Sequence, residues 1–440
     1  MTKVGFISLG CSKNLVDTEV MLRKLHDAGF EITPDETEAE IIVINTCGFI
    51  ESAKQESIDN ILDAEKLKEW GKCKHIIATG CLVERYREEV MQELPELDAL
   101  VGVGSLEDIA EACEAVMRGE KYTSFKDKNT SKLGGDRILT ISEHTAYLKI
   151  AEGCDNMCTY CAIPLIRGKF RSRTVEDIVA EARDLEALGV KELNLIAQDT
   201  TRYGLDIYGE YSLARLVKSI SAETNIPWIR LLYCYPDKIT DELIEEMRTN
   251  PRLLSYMDIP IQHISDGVLK RMNRHGGSAL IREVVEKLRA RVPGIVLRTT
   301  AMVGFPGESD EDFTELCEYV KEAGFDRFGA FTYSEEEGTA AAELDGKIDP
   351  QLKQDRYDIL MQTQLTVTEE KNAEKIGRIY TVLCDGFDTV AEIYYGRSYA
   401  DAPDVDGKVY FTSAEKVSEG EFVEVRITEA LDYDLVGERV

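Results

Sequence analysis

The chain has 440 residues, 43% hydrophobic and 30% charged, which excludes a disordered or fibrous protein and leaves apolar content for several cores, about three domains at roughly 150 residues each. Its 82 acidic residues outweigh 52 basic ones for a net charge of −30, a field that repels phosphate backbones and draws basic proteins. No run approaches roughly 18 uncharged apolar residues, and MTKVGFISLG opens like a strand rather than a leader, so a cytoplasmic chain without a membrane span is expected.

In residues 1–120, apolar runs at 3–9, 41–46, 75–79 and 99–103 are each followed by a helical pattern, which predicts an open parallel α/β sheet. Residues 121–139 are polar and weakly patterned and are expected to be a linker. Over 140–372 the alternation resumes, with strands expected at 147–151, 192–197, 229–233, 256–261, 296–303 and 327–333. Thr174 with Asp177, and Ser309 with Asp312, carry capping-box signals for the helices that follow. Six consecutive βα units predict a partial (β/α)6 barrel related to the eightfold one. A charged helix over 351–374 leads into 373–440, where short strands with turn signals predict a small antiparallel β-barrel. Residues 376–440 hold 14 acidic and 6 basic residues, a net of −8.

Eleven cysteines in a reducing compartment point to metal ligation or redox chemistry rather than disulfides. Cys154, Cys158 and Cys161 form C-x3-C-x2-C just after the first barrel strand, at the rim where barrel active sites gather. Three thiolates on one loop can hold three irons of a cubane cluster and leave the fourth iron open. A zinc knot would want a fourth Cys or His nearby, and none follows. Cys11, Cys47 and Cys81 each sit just past an expected strand end, in SLGC, INTC and ATGC. In a parallel sheet these ends share the ligand-binding edge, so the three either converge on a ligand or are small buried cysteines. Cys73, Cys113, Cys234, Cys317 and Cys384 are isolated and read as small hydrophobes.

Polar residues close four barrel strands: Gln198 and Asp199; Gln262 and His263; Gly304, Pro306, Gly307 and Glu308; Tyr333 and Ser334. Each alone is an ordinary loop residue; together they suggest a ligand bound across the rim. Arg167, Lys169, Arg171 and Arg173 form either an anion site at the mouth or a solvated basic strand. His26, His75 and His144 have no nearby co-ligand and read as structural, and His275 as a loop residue.

The C-x3-C-x2-C run with an aromatic before its last cysteine resembles the radical S-adenosylmethionine (SAM) signature. With SLGCSKN, INTCGF and ATGC ahead of it and CAIPLIRGKFRSR behind, all 440 residues resemble the methylthiotransferases. That resemblance implies an N-terminal domain with an auxiliary cluster, a radical SAM barrel and a C-terminal TRAM barrel. It also implies two [4Fe-4S] clusters and SAM as cofactors. Cys154, Cys158 and Cys161 would hold the SAM cluster at the catalytic centre, and Cys11, Cys47 and Cys81 the auxiliary one. Gln198, Arg298, Gly304, Gly307 and Glu308 would contact SAM.

IAQDTTRYG, DIPIQH and YYGRSYADAPDVDG resemble the branch that methylthiolates the β-carbon of an aspartate in the twelfth protein of the small ribosomal subunit. The acidic tail agrees, since ribosomal proteins are basic. This branch implies a flavodoxin- or ferredoxin-like electron donor, no membrane partner and no tRNA substrate. The alternatives are a tRNA adenosine methylthiotransferase, which predicts a basic tail, and a non-catalytic Fe–S electron carrier, which needs no vacant iron. An aspartate β-C–H bond is too weakly acidic for base catalysis, so the expected route is by radicals.

Overall fold

The computed structural model describes residues 1–440, the side chain of Glu88 excepted. Strands β1 (Lys3–Ser8), β2 (Glu31–Thr33), β3 (Ile41–Thr46), β4 (His75–Gly80), β5 (Ala99–Val101) and β6 (Tyr122–Ser124) form a parallel sheet in the order β2-β1-β3-β4-β5-β6. Every residue of β3 is buried, because helices cover both faces of the sheet. Ile42, Ile44 and Ile76 pack with Ile61, Ala64 and Leu67 on one side. Val4, Ile41 and Val43 pack with Met21, Leu25 and Ile109 on the other. The strand order reverses at β1 and β3, the switch point where α/β sheets open a crevice at their carboxyl ends. Helices α1 (Ser12–Asp27), α2 (Glu51–Trp70) and α3 (Cys81–Tyr86) lie downstream of β1, β3 and β4. The sixth strand, Tyr122–Ser124, falls inside the stretch expected to be linker; three residues on a sheet edge are too few to show a period.

The second sheet contains β7 (Thr145–Lys149), β10 (Glu192–Ile196), β11 (Trp228–Leu231), β12 (Leu253–Asp258), β13 (Val296–Val303) and β14 (Arg327–Thr332). A separate short pair, β8 (Ala151–Glu152) and β9 (Arg171–Ser172), brackets the cysteine loop. The six strands are parallel in the order β14-β13-β12-β11-β10-β7, and β14 does not pair with β7, so the barrel is open on one side. Alternation along each strand separates two surfaces. Leu193, Leu195, Ile229, Leu231, Met257 and Leu297 pack against the covering helices. The alternate set, including Lys149, Asn194, Arg230, Asp258 and Arg298, gives the inner face its polar character.

Ser309 and Asp312 form the expected reciprocal capping box. Thr174 caps only one way: its hydroxyl accepts from the Asp177 backbone N–H at 3.2 Å, while the Asp177 carboxylate is held by Arg173 at 2.6 Å. A helix over Pro350–Ala373 leads to the third unit. There β15 (Ile379–Asp388), β16 (Ile393–Arg397), β17 (Val409–Thr412), β18 (Phe422–Ala430) and β19 (Leu435–Arg439) close a barrel in the order β15-β16-β17-β19-β18. One pair departs from the antiparallel expectation, since β17 and β19 run parallel.

The connection between β16 and β17 plugs the inner face of the central barrel. Glu192 takes Arg230 at 2.9 Å and Arg397 of β16; Arg327 pairs with Asp401, and Tyr256 donates to Asp406 at 2.6 Å. These groups are buried, and buried charges persist where such partners meet them. The third unit is thereby fixed to the barrel by ion pairs as well as by the contact of Trp228 with Phe422.

Candidate cluster-binding site

The three amino-terminal cysteines sit at the carboxyl edge of the first sheet. Cys11 precedes α1, Cys47 follows β3, and Cys81 opens α3. Two glycines shape this edge. Gly10 has φ +88°, and a Cβ there would stand 2.9 Å from Cys47 Cβ and 3.1 Å from its sulfur. Gly80 has φ +93°, and a Cβ would meet the Thr46 carbonyl at 2.6 Å. Glycine therefore lets the three loops approach, so that Cys11 and Cys47 come together across the switch point.

Burial pushes the Cys47 thiol up and the Cys81 thiol up to about 12, while the Arg167 guanidinium pulls both back. Arg167 Nη2 donates to Cys81 Sγ at 3.3 Å, a buried positive charge where thiolates need one. Among the described residues, no three His, Cys, Asp or Glu side chains close around a single ion.

The second triad lies on a loop tied from several sides. Cys154 N donates to the Gly168 carbonyl at 3.1 Å, Asp155 accepts from Phe170 N at 3.1 Å, and Thr159 donates from its hydroxyl to the Arg271 carbonyl at 2.8 Å. Asn156 bridges Asp199 and Lys238, at 2.8 Å each. Beneath the loop, the Tyr160 ring meets Phe305 edge-on and its hydroxyl accepts from Arg274 at 3.3 Å. Arg274 also lies over the Tyr235 ring, whose hydroxyl stands 3.8 Å from Cys158 Sγ. Burial pushes the Cys154 thiol up to about 11 and raises Cys161 further. Thiols held neutral this way deprotonate when a metal replaces the proton.

A cavity of about 530 Å³ joins the units. Cys11 lines it from the first sheet, Tyr233, Asp258 and Arg298 from the central barrel, and Asp404 from the third unit. Deeper in the barrel, Asn194 is fully buried and neither atom of its amide has a partner, which marks the inner face as a place for a polar ligand.

The remaining expected contacts fall into two groups. Gln198 is half-buried just beyond β10, and Arg298 lies in the cavity, paired with Asp258 at 2.9 Å and Asp406 at 3.5 Å. Glu308 instead braces its own loop: its carboxylate accepts from Gly304 N at 2.7 Å and Phe305 N at 3.3 Å, and pairs with Arg356 at 2.8 Å. Gly304 packs on Lys353, and Gly307 packs on Arg271 and Gly346. Gln262, with φ +69°, and His263 are buried beyond the end of β12; Gln262 Oε1 and His263 Nε2 make no hydrogen bond, and His263 Nε2 stands 3.8 Å from the Glu308 carboxylate.

The four cations after the loop form no common anion site. Arg167 is buried between the first two units, Arg173 is held by Asp177 and Glu181, Arg171 donates to the Ser131 and Lys128 carbonyls, and Lys169 is exposed. Spacing could not distinguish these fates because each depends on a partner far along the chain. Tyr235, Arg274 and Asn194 were missed for the same reason.

Family models match three segments: uncharacterized protein family UPF0004 at residues 3–102, the radical SAM superfamily at 148–320, and the TRAM domain at 376–440. The chain is 49% identical to the ribosomal protein uS12 methylthiotransferase RimO of Acetivibrio thermocellus, over 99% of this chain and 98% of that one. It is 50% identical to the protein of the same name from Thermoanaerobacter sp., over 100% of both. Among solved structures, the radical SAM methyltransferase TsrM of Kitasatospora setae superposes with TM-score 0.56 at 13% identity, over 78% of this chain and 74% of that one, a likeness of fold. Identity near one half across the full length of such relatives, with three matching domains in this order, leads to one conclusion: the chain belongs to the RimO family of radical SAM methylthiotransferases.

Proposed function

We propose that the protein adds a methylthio group to the β-carbon of an aspartate in ribosomal protein uS12. It would do so in the cytoplasm, with SAM, two [4Fe-4S] clusters and electrons from a flavodoxin- or ferredoxin-like donor. The observation that carries this reading is the shared cavity, where Cys11 of one triad faces the inner wall of the barrel whose rim holds the other.

Cys154, Cys158 and Cys161 would hold the SAM cluster, and Cys11, Cys47 and Cys81 the auxiliary cluster. When bound, these groups supply the one-electron reduction of SAM that generates a hydrogen-abstracting radical, and the sulfur to be transferred. The chain's own residues position and enclose. Arg274 and Tyr160 fix the rim loop from below, and the Asn156–Asp199–Lys238 network fixes it from the side. The Asn194 amide and Gln262 Oε1 are unpartnered and available to a polar ligand, and Gln198 and Arg298 are the candidate SAM contacts. The plug from the third unit covers part of the inner face, held there by Asp401 on Arg327 and Asp406 on Tyr256.

The choice of uS12 over tRNA rests on charge. A net of −30, with −8 in the last 65 residues, favours a basic protein and disfavours a polyanion. Anaerobic incubation with SAM, reductant, uS12 and tRNA, followed by mass spectrometry of both, is the test. A mass gain on the aspartate of uS12 and none on tRNA is expected. Modified tRNA with unmodified uS12, or no SAM cleavage at all, defeats the proposal.

A further inference from the structure

Lys13 lies two residues beyond Cys11, in the first turn of α1, and is only 3% exposed. Among the described residues, no carboxylate pairs with its ammonium and no acceptor takes a hydrogen bond from it. It lies instead over the ring of Tyr233, 2.8 Å from the centroid. A buried ammonium is normally compensated by an opposite charge, since leaving water without one is costly. A ring face supplies only part of that compensation.

Tyr233 is itself held in a conformation that bulky residues rarely adopt, with φ +62°. Its N–H donates to Asp258 at 3.0 Å, and its hydroxyl meets Ser12 at 3.4 Å. Such strain persists where surrounding contacts enforce it, and it clusters at ligand sites. Tyr233, Ser12 and Cys11 line the same cavity. Of the other charges there, Asp258 pairs with Arg298 at 2.9 Å, and Asp404 accepts from the Tyr147 hydroxyl at 3.0 Å. The buried thiolate edge has its own cation in Arg167. Among the described residues Lys13 is therefore a positive charge without an ion-pair partner, set against the Tyr233 ring that lines the cavity.

We propose that Lys13, on the platform of Tyr233, forms a carboxylate subsite that receives the side chain of the target aspartate and holds its β-carbon facing Cys11. This deepens the proposed function and rests on it, because it presumes an aspartate-bearing substrate. The subsite would also select for substrate: a neutral residue at the target position would leave the ammonium without its partner.

The test uses anaerobically loaded enzyme with uS12 and with uS12 carrying asparagine at the target position. Wild-type enzyme is expected to bind the aspartate form about tenfold more tightly, the scale of one charge-assisted hydrogen bond. Lys13→Met is expected to lose that discrimination and raise KM for uS12 by a similar factor, with iron content and cluster spectra unchanged. Lys13→Arg should recover most of it. If Lys13→Met does not fold, Lys13→Gln serves the same comparison, and discrimination by the wild type needs no variant. Equal binding of the two uS12 forms by wild type, unchanged KM in Lys13→Met, or loss of half the iron in that variant each overturns the subsite. Failure of wild-type enzyme to modify uS12 removes the proposed function as well, so the two failures are distinct.

Discussion

Arg167 Nη2 donates to the sulfur of Cys81 at 3.3 Å, although the two residues belong to different domains. Arg167 ends the short helix Ile163–Arg167, which begins two residues after Cys161. Ala162 and Ile166 of the same stretch pack directly on Cys81. One segment of chain thus joins the rim loop to the amino-terminal triad, so the separation of the two cysteine triads is set by a short turn of helix rather than by a flexible linker.

That joint is charged as well as packed. Arg167 reaches Asp17 at 2.6 Å and Glu152 at 3.3 Å, and Glu152 also takes Lys149 at 2.7 Å. Burial pushes the Glu152 carboxyl up, but Lys149 and Arg167 outweigh it and hold the group down at about 2. Replacing Arg167 with Met leaves two buried carboxylates short of a cation, which costs about 3–5 kcal/mol for removal of one partner of a buried pair. Chemical denaturation of the apo-protein is the measurement. Arg167→Met should unfold at clearly lower denaturant than wild type, and an unchanged midpoint would remove the joint from the stability of the fold.

Two triads imply about eight irons per chain in two four-iron clusters. Cys47→Ala is expected to retain about four, to cleave SAM to 5′-deoxyadenosine and to form no methylthioaspartate. Iron analysis, electron paramagnetic resonance and product mass spectrometry together check this. Normal methylthioaspartate formation by the variant would show that the amino-terminal triad is not a sulfur-transferring centre.

Gly80 tests the cradle without touching a thiol. Gly80→Ala must hold a Cβ at φ +93° within 2.6 Å of the Thr46 carbonyl, so β3 or the Cys81 loop has to shift. The expected result is a loss of about 1–3 kcal/mol, the range for a strained backbone position, with impaired loading of the auxiliary cluster. Rim-cluster signals should survive, since Gly80 lies in the first unit. Full iron content with wild-type stability would count against a cradle shaped by glycine.

His263 makes a prediction about acid. Burial pushes its pKa down to about 4, and Arg271 and Arg356 oppose a second positive charge, while Asp312 acts the other way. Its Nδ1 accepts from Ser265 N at 3.0 Å, which requires the ring unprotonated there. Because the folded value lies below the ordinary 6.5, the contribution to stability is complete above pH 6.5. It is lost as pH falls from 6.5 toward 4, an interval worth about 3 kcal/mol. His263→Asn should flatten that part of the stability–pH profile in urea titrations at stepped pH. A slope identical to wild type would show that other groups dominate the interval.

The three-domain order and the close-set Cys154, Cys158 and Cys161 were legible from local pattern, whereas Cys11, Cys47 and Cys81, far apart in the chain, were joined only by their places at strand ends and by the resemblance. Strand–helix alternation and close-set thiols are local patterns, and local geometry dictates both. The capping box at Ser309 was equally legible, because its two halves are three residues apart. The one-way cap at Thr174 was not, since Asp177 is diverted to Arg173.

What the sequence by itself determined is the inventory: which residues carry thiols, which runs become strands, and where their carboxyl ends lie. Only the tertiary structure decided how those groups are used. It separated four neighbouring cations into three structural roles and one exposed side chain, and bound Glu308 to its own loop. It also made Tyr122–Ser124 an edge strand and left Lys13 buried without a counter-charge. Each outcome depends on contacts between residues distant in the chain, and the energy of a charge is set by what surrounds it rather than by its neighbours in sequence.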